Sequence, residues 1–310
     1  MSAAGRYAPS PSGDLHIGNL RTALLAWMFA RGTGRDFRMR VEDLDRARSG
    51  SAERQLEDLA AIGIDWDGDV VVQSARRSRY ADALASLRNR GLVYECWCTR
   101  REIAEAASAP HAAPGAYPGT CRNLDDAERA ARRARGRPPA LRLRAAVDTF
   151  TVHDVLAGDW TGLVDDVVLV RNDGTVAYNF AVVLDDGDLG VDQVVRGDDL
   201  LSSAPRQAYL ATVLGLQPPT YAHVPLVLGP TSARLAKRDG AVTLRELTAA
   251  GFTVADVVGM IADSLDLPGV RTAAGLLAAF DPASLPRDPW TFTPTPPRSS
   301  SCGQGRVPVR

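Results

Sequence analysis

Arg6-Tyr-Ala8-Pro9-Ser10-Pro-Ser-Gly13-Asp-Leu-His16-Ile-Gly18-Asn19 is the stretch on which the reading of this chain turns. A short apolar strand (Tyr7, Ala8) runs into a Pro/Ser/Gly loop. A helical pattern then follows from Asn19 to about Arg31, closed by Gly32 and Gly34. The prolines stiffen the turn, Gly13 and Gly18 allow close backbone approach, and His16 stands just before the helix N-terminus. Backbone N–H groups and the helix dipole favour an anion there, and an imidazole can donate to charge building on an α-phosphate as pyrophosphate leaves. The segment therefore reads as the nucleotide site of an enzyme that activates a carboxylate with ATP. Taken alone, the His-x-Gly motif also fits an N-terminal turn with an incidental histidine.

Outward from this stretch, Phe37 to Val41 reads as a second strand leading into the acidic Glu42-Asp43-Leu44-Asp45, with helices at about Ser51 to Ile62 and Ser78 to Arg90. Strands alternating with helices predict an α/β fold with a doubly wound, Rossmann-type parallel sheet, whose first half occupies residues 1–93. The pattern changes at Val93. Tyr94 to Cys98 reads as a strand, Thr99 with Glu102 forms a capping box, Ala107 to Gly119 is loop, and Asp125 to Arg135 is helical. Residues 94–190 are expected to be an insertion. Residues 191–240 supply the second half, with a strand at Val191 to Val195, a helix at Ser203 to Leu214 and a buried strand at Ala222 to Leu228. Residues 241–293 form a short helical C-terminal region, and 294–310 a Pro/Ser-rich disordered tail.

Composition sets the limits. The 310 residues are 45% hydrophobic, with no apolar run of the ~18 residues a spanning helix needs and no signal-peptide core, so a cytoplasmic protein without a membrane partner is expected. A net charge of -1 gives no global attraction to nucleic acid. A local patch exists, with eight arginines and three acids between Arg122 and Arg144, and it reads either as a solvated helix face or as an RNA contact. Among the 36 basic residues Lys237 is the single lysine, a point charge on a flexible stem suited to a phosphate. Cys96, Cys98 and Cys121 fall in one window and suggest metal binding; three thiolates leave a tetrahedral zinc one ligand short, and His111 is a chemically reasonable fourth.

The pairing of the His16 segment with the distant Arg234-Leu-Ala-Lys237-Arg238 loop resembles the two signatures of class I aminoacyl-tRNA synthetases. That resemblance implies catalytic roles for His16 and Lys237, and an ATP site drawn from Pro9, Gly13, His16, Gly18, Asn19, Arg234 and Lys237. The opening from Arg6 to Gly13 is similar to that of the glutamyl-tRNA synthetase family. This implies contacts to glutamate from Arg6, Ala8, Ser10, Glu42, Tyr178 and Arg196, which would give a dicarboxylate amino acid its cationic partners and one anionic one. The Cys-x-Cys and Tyr-x-x-x-Cys arrangement resembles the zinc site of the short family members, the glutamyl-Q tRNA(Asp) synthetases, and implies one structural Zn2+ held by Cys96, Cys98, Tyr117 and Cys121.

The sequence after Lys237 is expected to leave no room for a helical anticodon-reading domain, an expectation that goes with the likeness to that short group. It implies activation of L-glutamate with ATP and Mg2+ without tRNA, then transfer to the queuosine base of tRNA(Asp), by a monomer. Three departures stand out: Asn19 where many class I enzymes have histidine, Arg234 and Ala236 where lysine and serine are commoner, and the tail from Pro296. The alternatives are a truncated glutamyl-tRNA synthetase that charges tRNA(Glu), another carboxylate-activating ligase, and a zinc-containing RNA-binding module.

Overall fold

The structure, a computed structural model, describes residues 3–99, 101–103, 117–233, 235 and 242–293. The chain begins with β1 (Ala4–Tyr7), α1 (Ile17–Arg31), β2 (Asp36–Val41), α2 (Ser51–Ala61), β3 (Val71–Val72) and α3 (Arg77–Asn89). It continues through β4 (Val93–Cys96), α4 (Asp126–Ala134), β5 (Ala140–Leu143), β6 (Thr149–Asp154), β7 (Gly158–Leu163) and β8 (Val168–Val170). Then come α5 (Tyr178–Asp188), β9 (Gln193–Gly197), α6 (Ala204–Val213), β10 (Thr220–Val224) and β11 (Val227–Leu228). The last elements are α7 (Leu244–Ala249), α8 (Val254–Asp263), α9 (Ala273–Ala279) and β12 (Trp290–Thr291).

Strands β1, β2 and β3 pair in parallel, as do β9 and β10. The two groups join where Ala4 bridges Val191 in parallel and the Asp192 amide donates to the Ala4 carbonyl. The order β3-β2-β1-β9-β10 reverses direction of growth between β1 and β9, and in open parallel sheets ligands bind beyond the strand carboxyl ends at such a switch point. Both faces are covered. Leu20, Leu24 and Phe29 of α1 pack with Phe37, Met39, Val195 and Ile261 on one side. Tyr80 and Leu87 of α3 form a second core with Phe180, Leu184 and Leu210.

The stretch 94–190 contributes to two sheets. β4, β5 and β8 make an antiparallel sheet of their own. The β6–β7 hairpin instead lies at the edge of the main sheet, where Asp154 pairs with Tyr221 of β10. Alternation along a strand reports which face is buried, not which sheet it joins, so the sequence does not separate these two sets. Pro225, lacking an N–H, divides the expected 222–228 strand into β10 and β11. The 242–285 region holds three short helices, after which the chain returns as β12 to pair with β11, a two-residue strand too short to carry a periodic signal. Residues 294–310 lie outside the described residues.

Candidate active site

His16 is the N-cap of α1, and Asn19 is its partner in a reciprocal cap. The Asn19 amide donates to His16 Nδ1 and the His16 amide to Asn19 Oδ1, both at 3.2 Å. A histidine at the third helical position would lack that carbonyl acceptor, so the departure at Asn19 has a local rationale. Because Nδ1 accepts, the neutral imidazole carries its proton on Nε2. Gly18 makes room for this posture: a Cβ there would lie 3.0 Å from the His16 ring and 3.1 Å from Val227 Cβ. The Pro9–Gly13 loop is braced by Gln55, which donates to the Ser10 and Gly13 carbonyls, and by the Glu42 amide, which donates to the Pro9 carbonyl.

The downstream segment reaches the same place. The Ile17 amide donates to the Val242 carbonyl at 2.7 Å, and His16 forms an antiparallel bridge with Thr243. Leu235 is buried in the core that holds Ile17, Leu20 and Val227. Arg234 and Lys237 themselves lie outside the described residues, but the described positions on either side of Lys237 are tied to the start of α1.

Beside this helix start, the carboxyl ends of β1, β2 and β9 carry three buried arginines. Arg6, 5% exposed, donates to the Val195 carbonyl at 3.1 Å and lies 3.5 Å from Asp186. Arg40, with 0% exposure, pairs with Asp186 at 2.6 Å and Glu42 at 3.1 Å, and approaches Asp185 at 3.8 Å. Burial opposes its charge, but Asp186, Glu42 and Asp185 outweigh that and hold its pKa above the ordinary arginine value. Glu42 is pushed up by burial, with Arg40 pulling the other way; for Asp186 the arginines Arg40 and Arg6 win over burial and hold the carboxyl down.

Arg196, 6% exposed, has no carboxylate within ion-pair distance among the described residues. Its Nε donates to His223 Nε2 at 3.0 Å, Nη1 to Gln207 Oε1 at 2.6 Å and Nη2 to the Leu200 carbonyl at 3.3 Å. Burial lowers its pKa.

A cleft of about 1010 Å³ opens in front of these groups, and its walls include Ala8, Ser10, Glu42 and Tyr178. Tyr178, the first residue of α5, is 47% exposed and stands at the mouth, whereas Arg6 and Arg196 sit behind the lining. The expected amino-acid contacts are thus gathered around one region. Sequence reasoning missed Arg40, Asp186 and His223. The acidic pair Asp185-Asp186 ending an apolar helical run was a visible signal, since buried acids demand partners.

At its far wall the cleft meets Cys98 and Arg142. The thiols of Cys96, Cys98 and Cys121 lie within 4.8 Å of one another, a group that could hold a metal ion. Tyr117 Oη joins them at 3.3 Å from Cys96 Sγ and 3.9 Å from Cys98 Sγ, and it accepts from the Cys121 amide. The Arg142 guanidinium lies 3.7 Å above the Tyr117 ring, and burial together with the Cys96 hydrogen bond pushes the phenol above its ordinary range. Three sulfurs and one oxygen around a common point suit a tetrahedral ion. His111 lies outside the described residues. Of the eight arginines from Arg122 to Arg144, several serve the protein itself: Arg122 pairs with Asp166, Arg133 with Glu95, and Arg142 donates to the Asp166 carbonyl. Arg137 lines the cleft and is exposed.

The parallel sheet and the His16 helix start fit a class I synthetase, and over residues 3–261 the chain matches the family described as tRNA synthetases class I (E and Q), catalytic domain. It belongs to that family and is a ligase. Within it, the chain is 65% identical over 293 residues to a glutamyl-Q tRNA(Asp) synthetase of Nocardia farcinica, with 94% of each chain covered. Glutamate–tRNA ligase 1 of Methylobacterium radiotolerans is 43% identical over 80% of this chain and 53% of its own. A solved glutamate tRNA ligase from Elizabethkingia meningosepticum, in complex with its amino acid, superposes with a TM-score of 0.80 at 26% identity, covering 94% of this chain and 67% of that one. The family resemblance read from the sequence is borne out. Among the described residues no helix is long and apolar enough to cross a membrane.

Proposed function

We propose that this chain activates L-glutamate with ATP, without tRNA, and then transfers it to the queuosine base at the wobble position of tRNA(Asp). The observation that supports the first step is the meeting of the His16 cap with Val242 and Thr243, which brings the chain a few positions after Lys237 in sequence to the helix N-terminus. The high identity to a glutamyl-Q tRNA(Asp) synthetase supports the second.

In this reading Arg196 and Arg6 take glutamate's carboxylates and Glu42 faces its ammonium group, with Ala8, Ser10 and Tyr178 shaping the pocket. The α-carboxylate attacks the ATP α-phosphate in line, and pyrophosphate departs. No side chain acts as a nucleophile. His16 Nε2–H, the α1 amide groups and Lys237 stabilise the charge that builds on the phosphates, and Pro9, Gly13, Gly18, Asn19 and Arg234 complete the ATP site. Mg2+, when bound with ATP, neutralises pyrophosphate charge. One Zn2+ would be held by Cys96, Cys98, Tyr117 and Cys121, where it would lock the window beside the cleft. A hydroxyl of the queuosine cyclopentenediol then takes the acyl group and releases AMP. The protein acts in the cytoplasm as a monomer.

Glutamate-dependent ATP–pyrophosphate exchange without RNA tests the first step; its absence with magnesium and zinc supplied overturns the reading. Replacing Lys237 with alanine should slow exchange by about 100-fold. Labelled glutamate should transfer to queuosine-modified tRNA(Asp) and not to the unmodified tRNA. Charging of tRNA(Glu), the alternative that the 43% identity to a glutamate–tRNA ligase favours, would overturn the second step.

A further inference from the structure

Asp154 on β6 is a carboxylate surrounded by donors. Its Oδ1 accepts from the Leu156 and Ala157 amides at 2.9 and 2.8 Å, and its Oδ2 from the His223 amide at 3.1 Å and from His223 Nδ1 at 2.6 Å. With both oxygens so occupied there is no place for a carboxyl proton, so Asp154 is ionised and His223 Nδ1 carries a hydrogen. His223 Nε2 then presents a lone pair. The group facing it is Arg196 Nε, 3.0 Å away, which can only donate. The chain Asp154–His223–Arg196 admits one consistent set of protons. The His223 side chain is 1% exposed and that of Asp154 0%, so water does not compete for these bonds.

The other side of Arg196 is fixed in the same way. Gln207 Oε1 accepts from Nη1, which orients the amide so that Nε2 donates to Asn179 Oδ1, next to Tyr178. Of the five N–H groups on a guanidinium, one is spent on His223, one on Gln207 and one on the Leu200 carbonyl, which leaves two for a ligand. We propose that Asp154 and His223 are positioning residues for glutamate recognition: they hold the imidazole as the Nδ1–H tautomer, whose lone pair sets the tilt of Arg196 without neutralising its charge. A carboxylate in place of His223 would also accept from Nε, but it would cancel the charge that should attract the substrate. The inference rests on the reading of Arg196 as a glutamate ligand.

Asp154→Asn is the decisive variant. It keeps the shape but places an amide where a carboxylate oxygen receives His223, driving the proton onto Nε2 against the Arg196 N–H. In pyrophosphate exchange, KM for glutamate should rise about tenfold while KM for ATP stays put. Equal changes in both constants, or none, would show that Asp154 merely pins the β6–β7 hairpin to β10, and would overturn the proposal. Should Asp154→Asn fail to fold, His223→Gln and His223→Leu decide. The glutamine offers an acceptor near Nε2 and should keep KM for glutamate within about threefold, whereas leucine should raise it about tenfold; equal constants for the two overturn the proposal. Arg196→Met separates the two levels. An unchanged KM for glutamate in that variant removes the pocket assignment itself; a raised one, with Asp154→Asn unaffected, removes only the positioning role.

Discussion

Arg40 on β2 and Arg196 on β9 are both buried guanidinium groups on the strands that flank β1, and the protein treats their charges in opposite ways. Arg40 meets Glu42, Asp185 and Asp186, and its proton is held more tightly than usual. Arg196 meets an imidazole, an amide and a carbonyl, and its proton is held less tightly. A cation already matched by carboxylates has little left to offer a ligand. One that is hydrogen-bonded but not neutralised keeps its field directed at whatever enters. The partners of a buried charge, more than its burial, separate a strut from a binding group.

The largest expected effect tests the strut. Arg40→Met leaves Glu42, Asp185 and Asp186 without their common cation and should cost about 3–5 kcal/mol of stability. That corresponds to a fall in Tm of roughly 10 °C by calorimetry; a Tm near that of wild type would erase the distinction. The next effect tests the binding group. Arg196→Met removes a charge that forms no ion pair among the described residues but does orphan three acceptors, so Tm without ligand should fall less than in Arg40→Met. Glutamate at 100 times its Kd should stabilise the wild-type protein by about 2.7 kcal/mol, and this gain should vanish in Arg196→Met. Persistence of the glutamate-induced shift would move recognition elsewhere.

The smallest effect sharpens the comparison through pH. Burial holds His223 below the ordinary histidine value of 6.5, with Asp154 opposing and Arg196 and Arg6 adding to the depression; Tyr221 and Asp198 also face it. Asp154 lies below 3.8, because its hydrogen bonds from His223, Ala157 and Leu156 outweigh burial. Both depressions have the same sign: the unfolded chain binds protons more readily, so the pair's stabilisation is full above pH 6.5 and is lost as pH falls through and below that range. Protonation of Nε2 also removes the acceptor for Arg196. KM for glutamate should therefore climb as pH falls below the ordinary histidine range, and more steeply in wild type than in His223→Gln; a flat profile would contradict it.

Much of this fold is written locally. The helix after His16, the Thr99–Glu102 cap and the Asp125 helix start follow from residues that sit within one turn of each other, and the hydrogen bonds are where such spacing puts them. The cysteine window was legible for a similar reason, since three thiols in a short span have few other uses. What the sequence hides is pairing between distant strands. Nothing near Asp154 announces that it will meet His223, 69 positions away, and nothing in Arg40 tells it apart from Arg196. The distinction depends on which acids the topology delivers, and Asp186 reaches Arg40 from 146 positions downstream. The break at Pro225 was passed over in reading 222–228 as one strand, and the strand that β11 finds at Trp290 carries no local signal.

The cap at His16 has a mechanical side. An imidazole whose Nδ1 holds the first turn of α1, with Asn19 reaching back to the His16 amide, cannot swivel toward its target without unpicking the helix beneath it. If His16 meets a phosphate as proposed, its aim is built into the chain rather than adjusted during turnover. On that proposed reading, the site would discriminate among triphosphates by where they put one oxygen.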